Sequence, residues 1–121
     1  MSIPARDKLM AKLTNPAYRH GYVASHIHIG IRFQLRHIRE ARGWTKAELA
    51  AKAKMTPAAV ARLEDPNAPP VTLANLLKIA EALDVALLVR FVPFSRLVAE
   101  YADCSPEALV VPSFENEGRS L

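Results

Sequence analysis

Four histidines, His20, His26, His28 and His37, and one cysteine, Cys104, are the residues of this 121-residue chain best suited to metal or covalent chemistry. Metal ligands must share a face. On a helix His26 and His28 point to different faces, and His20 and His37 lie far along it, so the four read as solvent- or phosphate-facing histidines. Cys104 has no obvious nucleophile context, since a histidine base would have to stand near it in space, and it reads as a plain thiol. Being single, it excludes an internal disulfide and any cysteine-based zinc site. Glu48 and Glu64 as an acid–base pair lack a supporting pocket, and structural roles account for both. Gly21, Gly30, Gly43 and Gly118 lie too far apart for a phosphate-cradling loop. The expectation is a protein that is not an enzyme, with no catalytic residue, cofactor or metal.

The charge points elsewhere. The net charge is +4 and the pI about 9.5, unevenly spread. Residues 1–43 carry eight basic against two acidic side chains, a net of +6. Residues 44–93 net +1 and residues 94–121 net −3. A basic front half suits a polyanion partner, and equally a solvated helix face. Half the residues are hydrophobic and 23% charged, the composition of a globular protein with a core. No apolar run approaches the ~18 residues of a membrane helix, and residues 1–13 lack a signal-peptide core. The expected location is cytoplasmic, with no membrane partner.

The elements that must position these charges follow from caps and apolar spacing. Residues 1–14 are polar and weakly patterned, and are expected to fray. Asn15-Pro16 starts a helix that can run to Arg42, with Ile27, Ile31, Leu35 and Ile38 as its apolar stripe. Gly21 and Gly30 allow a kink or a division in two. Gly43 is a natural C-terminal stop. Thr45 caps Lys46–Ala53, with Glu48 at the capping-box position. Thr56-Pro57 starts Pro57–Glu64. Residues 65–70 are a loop with three prolines. Thr72 caps a helix to Leu83 with Leu73, Leu76, Leu77, Ala80 and Leu83 inward, and Asp84 ends it. Residues 85–92 (VALLVRFV) read as a strand closed by Pro93. Lacking a partner in sequence, that strand must pair with the N-terminal segment or with a second copy. Residues 95–102 suit a short helix, and residues 104–121 read as an acidic tail.

Two short helices joined by a tight turn, with an amphipathic helix on either side, form a helix-turn-helix layout. The stretch LRHIREARGWTKAELAAKAKMTPAAVARLE followed by TLANLLKIAEALDV resembles the lambda-repressor/Cro-like (XRE) helix-turn-helix family over residues 35–85. The first helix ends in R-x-x-R-G, the second carries E-L-A, the third ends in L-E and the fourth in A-L-D-V. NPAYRHGY before this stretch and VALLVRFVPFSRL after it resemble extensions of bacterial antitoxin-type members.

The resemblance implies a DNA-reading surface. Its groove-facing positions are Thr56, Pro57, Ala58, Ala61 and Arg62, with Arg62 the one strong base reader. Pro57, Ala58 and Ala61 would touch thymine methyls or let the helix sit close. Lys46, where relatives usually carry a phosphate-contacting glutamine, would bind phosphate, with Thr45, Lys54, Thr56 and Thr72 in support. Arg36 and Lys52 are minor candidates. Lys54 stands in the turn where many relatives have glycine, so a positive φ there costs about 1 kcal/mol. The loop after Glu64 lacks the basic contacts of many relatives. Arg39 and Glu64 match positions that pair in the family. Ala50 must be small where the second and third helices cross, and Leu49, Ala53, Val60 and Leu63 fill the space between helices.

The expected fold is mainly α: an N-terminal helical extension over residues 1–25, a lambda-repressor-like helix-turn-helix domain over 26–84, a strand and short helix over 85–103, and an acidic tail over 104–121. The strand, through Val85, Leu87, Val89 and Phe91, is expected to pair across a homodimer. The expected function is sequence-specific transcription regulation, an autorepressor on a palindromic double-stranded operator. The alternative is an antitoxin that also neutralises a toxin protein through residues 1–25 or the tail.

Overall fold

The structure, a computed structural model, describes residues 2–103 and 105–118. It is mainly helical: α1 (Ile3–Lys12), α2 (Pro16–Ala41), α3 (Lys46–Ala53), α4 (Pro57–Glu64), α5 (Leu73–Leu83), α6 (Phe94–Glu100), α7 (Pro106–Leu109) and α8 (Phe114–Glu117). No helix among the described residues is long and apolar enough to cross a membrane.

Residues 3–12 are helical where fraying was expected. Ser2 Oγ accepts the Ala5 amide at 3.3 Å, and Leu13, just past the helix end, is buried. Arg19 holds the Leu13 carbonyl from the next helix at 3.2 Å. Local caps and one anchored leucine outweigh the weak pattern. Asn15 caps α2 by accepting the Ala17 and Tyr18 amides. The helix runs unbroken through both glycines. Gly30 has a packing reason: a Cβ there would come within 3.3 Å of the Tyr101 ring, so its absence admits the end of α6 against α2. Gly43 takes φ +70° and ends the helix as expected.

The core forms where α2, α3, α4 and α5 meet. Leu35, Ile38, Leu49, Ala50, Ala53, Val60, Leu63, Ile79 and Leu83 are buried together, and Trp44, Met55, Val71 and Val85 pack around them. The upper part of the α2 stripe differs from expectation, since Ile27 is exposed. Leu73 and Leu77 of α5 are also exposed, while Ile79 takes an inward place. An apolar arc this wide has two edges, and only the packed neighbour decides which edge turns inward.

Residues 85–92 are not a strand. They run extended, with no strand assigned among the described residues and no backbone hydrogen bond recorded for 86–92. The reason is physical: a strand exists only by pairing, and α1 occupies the N-terminal segment that was one candidate partner. Of the four seam residues, Val85 and Leu87 are half-buried against their own chain, while Val89 and Phe91 are exposed.

Nor are residues 105–118 a free acidic tail. Ser105 and Ser113 cap α7 and α8. The Phe114 amide bonds the Asp84 carbonyl at 2.8 Å, Gln34 Nε2 donates to the Leu109 carbonyl at 3.0 Å, and Val111 packs on the core. The apolar residues Leu109 and Val111 fold the acidic segment back. Cys104 lies outside the described residues.

Candidate nucleic-acid interface

Each of α3, α4 and α5 begins with a threonine whose hydroxyl accepts a third-position amide: Thr45 from Glu48, Thr56 from Ala59 and Thr72 from Asn75, all at 3.1 Å. A hydroxyl that accepts one bond keeps its own proton for an outside acceptor. The first amides of each helix have no acceptor within the helix. At α3 the capping box is complete, because Glu48 reaches back to the Thr45 amide.

The turn between α3 and α4 closes on Lys54, which takes φ 56° and ψ 44°. The Met55 amide then bonds the Ala50 carbonyl at 2.9 Å. Ala50 is buried at this crossing, where a larger side chain has no room. A left-handed conformation is costly for a lysine, whose Cβ crowds the following carbonyl. Lys54→Gly is expected to gain about 0.5–1 kcal/mol of stability. Urea midpoints of the two proteins measure this, and a loss would contradict the strain.

Within α4, Val60 and Leu63 face the core. Pro57, Ala58, Ala61 and Arg62 fall at helical spacing on the other side. Pro57, Ala58 and Arg62 are exposed and Ala61 is half-buried. Among the described residues the Arg62 side chain has no bonding partner, yet its backbone is held: its carbonyl accepts a bond from Arg32 at 2.7 Å. Lys46 is exposed at the first position of α3, and Lys54 at its end. The two minor candidates are engaged at home. Lys52 Nζ sits 4.8 Å from the Trp44 ring centre, and Arg36 pairs with Glu40 at 2.8 Å.

The helix pair is locked from behind. Arg39 grips Glu64 in a two-pronged ion pair, Nε to Oε2 at 2.7 Å and Nη2 to Oε1 at 2.9 Å, and donates to the Trp44 carbonyl at 2.9 Å. The two side chains keep only 10% and 5% of their surface in solvent. Hydrogen bonding to Glu64 raises the Arg39 pKa further above its usual value. Arg42 reaches the carbonyls of Leu83 and Val111, and burial lowers its pKa.

The basic front half is therefore mostly structural. Arg19, Arg32, Arg36, Arg39 and Arg42 all bond acceptors of their own chain. Charge counting assigned these arginines no individual role. Arg32 carried a readable signal, since residues 32, 35 and 39 lie on one helix face with the buried Leu35.

Residues 35–89 match the family model described as helix-turn-helix. The domain they form belongs to the lambda-repressor-like (XRE) helix-turn-helix family. A domain of this family suggests a DNA-binding transcription regulator. No curated protein and no solved structure matches the chain. In this domain α3 and α4 stand at the two positions of the helix-turn-helix pair; in helix-turn-helix proteins generally the second helix of the pair is the one that lies in the major groove.

Proposed function

We propose that the chain is a sequence-specific transcription regulator that represses its own promoter by binding a two-fold-symmetric operator as a homodimer. The observation that carries this is the outer face of α4. It presents one uncommitted guanidinium, Arg62, on a helix otherwise smooth enough to lie deep in a groove. An arginine there can bond guanine O6 and N7 together. Pro57, Ala58 and Ala61 meet the groove floor and thymine methyls. With three alanines in α4 besides one reader, DNA shape contributes part of the selectivity. Thr45, Thr56 and Thr72 with Lys46 and Lys54 hold phosphates. Lys46 supports this role, because a cation at a helix start opposes the helix dipole unless an anion sits beside it.

The two-fold rests on residues 85–92. Among the described residues the backbone of 86–92 makes no hydrogen bond, Leu88 and Val89 are 76% and 66% exposed, and Phe91 is fully exposed. Beside them lies an apolar groove of about 710 Å³ whose lining includes Ile27, Phe33, Leu76 and Leu88. Antiparallel pairing with a second copy would satisfy both the amides and the apolar side chains. It would space two α4 helices for half-sites about one turn of DNA apart. The regulator reading is preferred to the antitoxin because α4 supplies a reading face, whereas residues 105–118, in one of the two segments assigned to a toxin, are folded back onto Asp84 and the core.

Fluorescence anisotropy on DNA from directly upstream of the gene, against a scrambled duplex at two salt concentrations, tests the reading. The expected result is tight, salt-sensitive binding to the first duplex. Arg62→Ala should cut the preference roughly 5- to 150-fold, the equivalent of about 1–3 kcal/mol. Equal weak binding to both duplexes would sink the proposal. A monomeric protein in light scattering would remove the two-fold from it.

A further inference from the structure

Arg32 belongs to α2 but lies outside the matched segment 35–89, and it is 97% buried with no carboxylate partner among the described residues. Its guanidinium instead faces a ring of backbone oxygens. Nη1 donates to the carbonyls of Arg62 at 2.7 Å, Leu63 at 3.2 Å and Asp65 at 2.7 Å. Nη2 donates to the carbonyls of Ala68 at 3.2 Å and Pro69 at 2.5 Å. Nε, equally buried, has no partner, so the side chain is held for its two terminal nitrogens alone.

These carbonyls need an outside donor for a local reason. Both α3 and α5 end on a left-handed residue, Lys54 and Asp84, whose amide folds back onto the last turn. The cap of α4, Asp65, is extended and closes the last turn with a single bond to the Arg62 carbonyl. An eight-residue helix ending this way leaves bare carbonyls at the negative end of its dipole. Arg32 supplies the missing donors and the positive charge. The same fork binds the far side of the proline-containing loop, so the end of α4 and the path to α5 are tied to one point on α2.

We propose that Arg32 is a positioning residue for DNA recognition. It holds the backbone of Arg62, and thereby sets the height and direction from which the Arg62 side chain enters the groove. The inference rests on the reading of the chain as a sequence-specific DNA binder. A two-pronged contact to guanine tolerates only about 0.5 Å of misplacement. Losing the tether therefore affects discrimination before it affects phosphate binding. Lysine keeps the charge but is a point donor that cannot span five carbonyls.

The test compares the wild-type chain with Arg32→Lys, and with Val98→Ala as a destabilised control. Val98 is buried in α6, whereas the elements packed most closely on α4 are α3 and α2. Probes are the duplex that the wild-type chain selects from a randomised pool and a scrambled duplex of equal length. Anisotropy is read at a temperature where circular dichroism finds all three proteins folded. The expected result is an operator preference about ten-fold lower in Arg32→Lys, with scrambled binding and salt dependence unchanged. Val98→Ala should keep the wild-type preference. A wild-type preference retained by Arg32→Lys overturns the inference alone. A wild-type chain that selects no sequence overturns the regulator reading and the inference with it. Arg32→Lys protein that stays unfolded even in sucrose also overturns it, because the residue is then required for the fold itself.

Discussion

Glu64→Ala should lower the unfolding free energy by about 3–5 kcal/mol, the largest loss expected from one substitution in this chain. The substitution leaves the Arg39 guanidinium buried without its carboxylate, and the desolvation of that charge is then uncompensated. Against a typical total of ~5–15 kcal/mol, this amounts to a Tm lower by about 12 °C or more. The companion measurement separates the value of the pair from the penalty for breaking it. Arg39→Met with Glu64→Leu removes both charges and fills the same space, so the double variant should regain more than half of the loss. Urea denaturation of the four proteins closes the cycle. A single-variant loss under ~1 kcal/mol would mean that water reaches the pair in solution.

Leu49→Ala should cost about 2–5 kcal/mol. Leu49 has no solvent-exposed surface and sits among Leu35, Ile38, Val60 and Leu63, so shortening it leaves a cavity between α3 and α4. Neighbours fixed on other helices can close that cavity only in part, and the unrecovered volume sets where in the range the loss falls. Leu77→Ala provides the contrast. Leu77 matches the apolar spacing of α5, yet it is 55% exposed. Its truncation should change stability by no more than about 0.5 kcal/mol. Equal losses for the two leucines would show that Leu77 is covered in solution, and would put a partner on that face of α5.

The comparison of these leucines shows what local sequence carries. Helix starts were legible, because Asn15, Thr45, Thr56 and Thr72 each cap the amides that follow them by chemistry confined to four residues. The end at Gly43 was legible for the same reason, while the left-handed turn at Lys54 was suggested only by the glycine that relatives carry there. The helix-turn-helix order followed from these caps together with apolar spacing; the positions of Arg62, Lys46 and the Arg39–Glu64 pair came from the resemblance to the family.

The rest depends on what lies across from each segment. Residues 85–92 have strand-like composition, but pairing belongs to two segments, and none of the described residues supplies the second. Leu73 and Leu77 have helical spacing, but the rotation of α5 was set by Ile79 and Leu83 against α2 and α3. Acidic composition suggested a loose tail, whereas Val111 and the Asp84 carbonyl gave it a place to dock. The arginines make the point most clearly. Net charge counts Arg32, Arg39 and Arg42 alike with Arg62. The resemblance separated Arg39 and Arg62, but only the fold turns Arg32 and Arg42 inward onto carbonyls, because a guanidinium is drawn to whichever acceptors the packed helices leave unsatisfied.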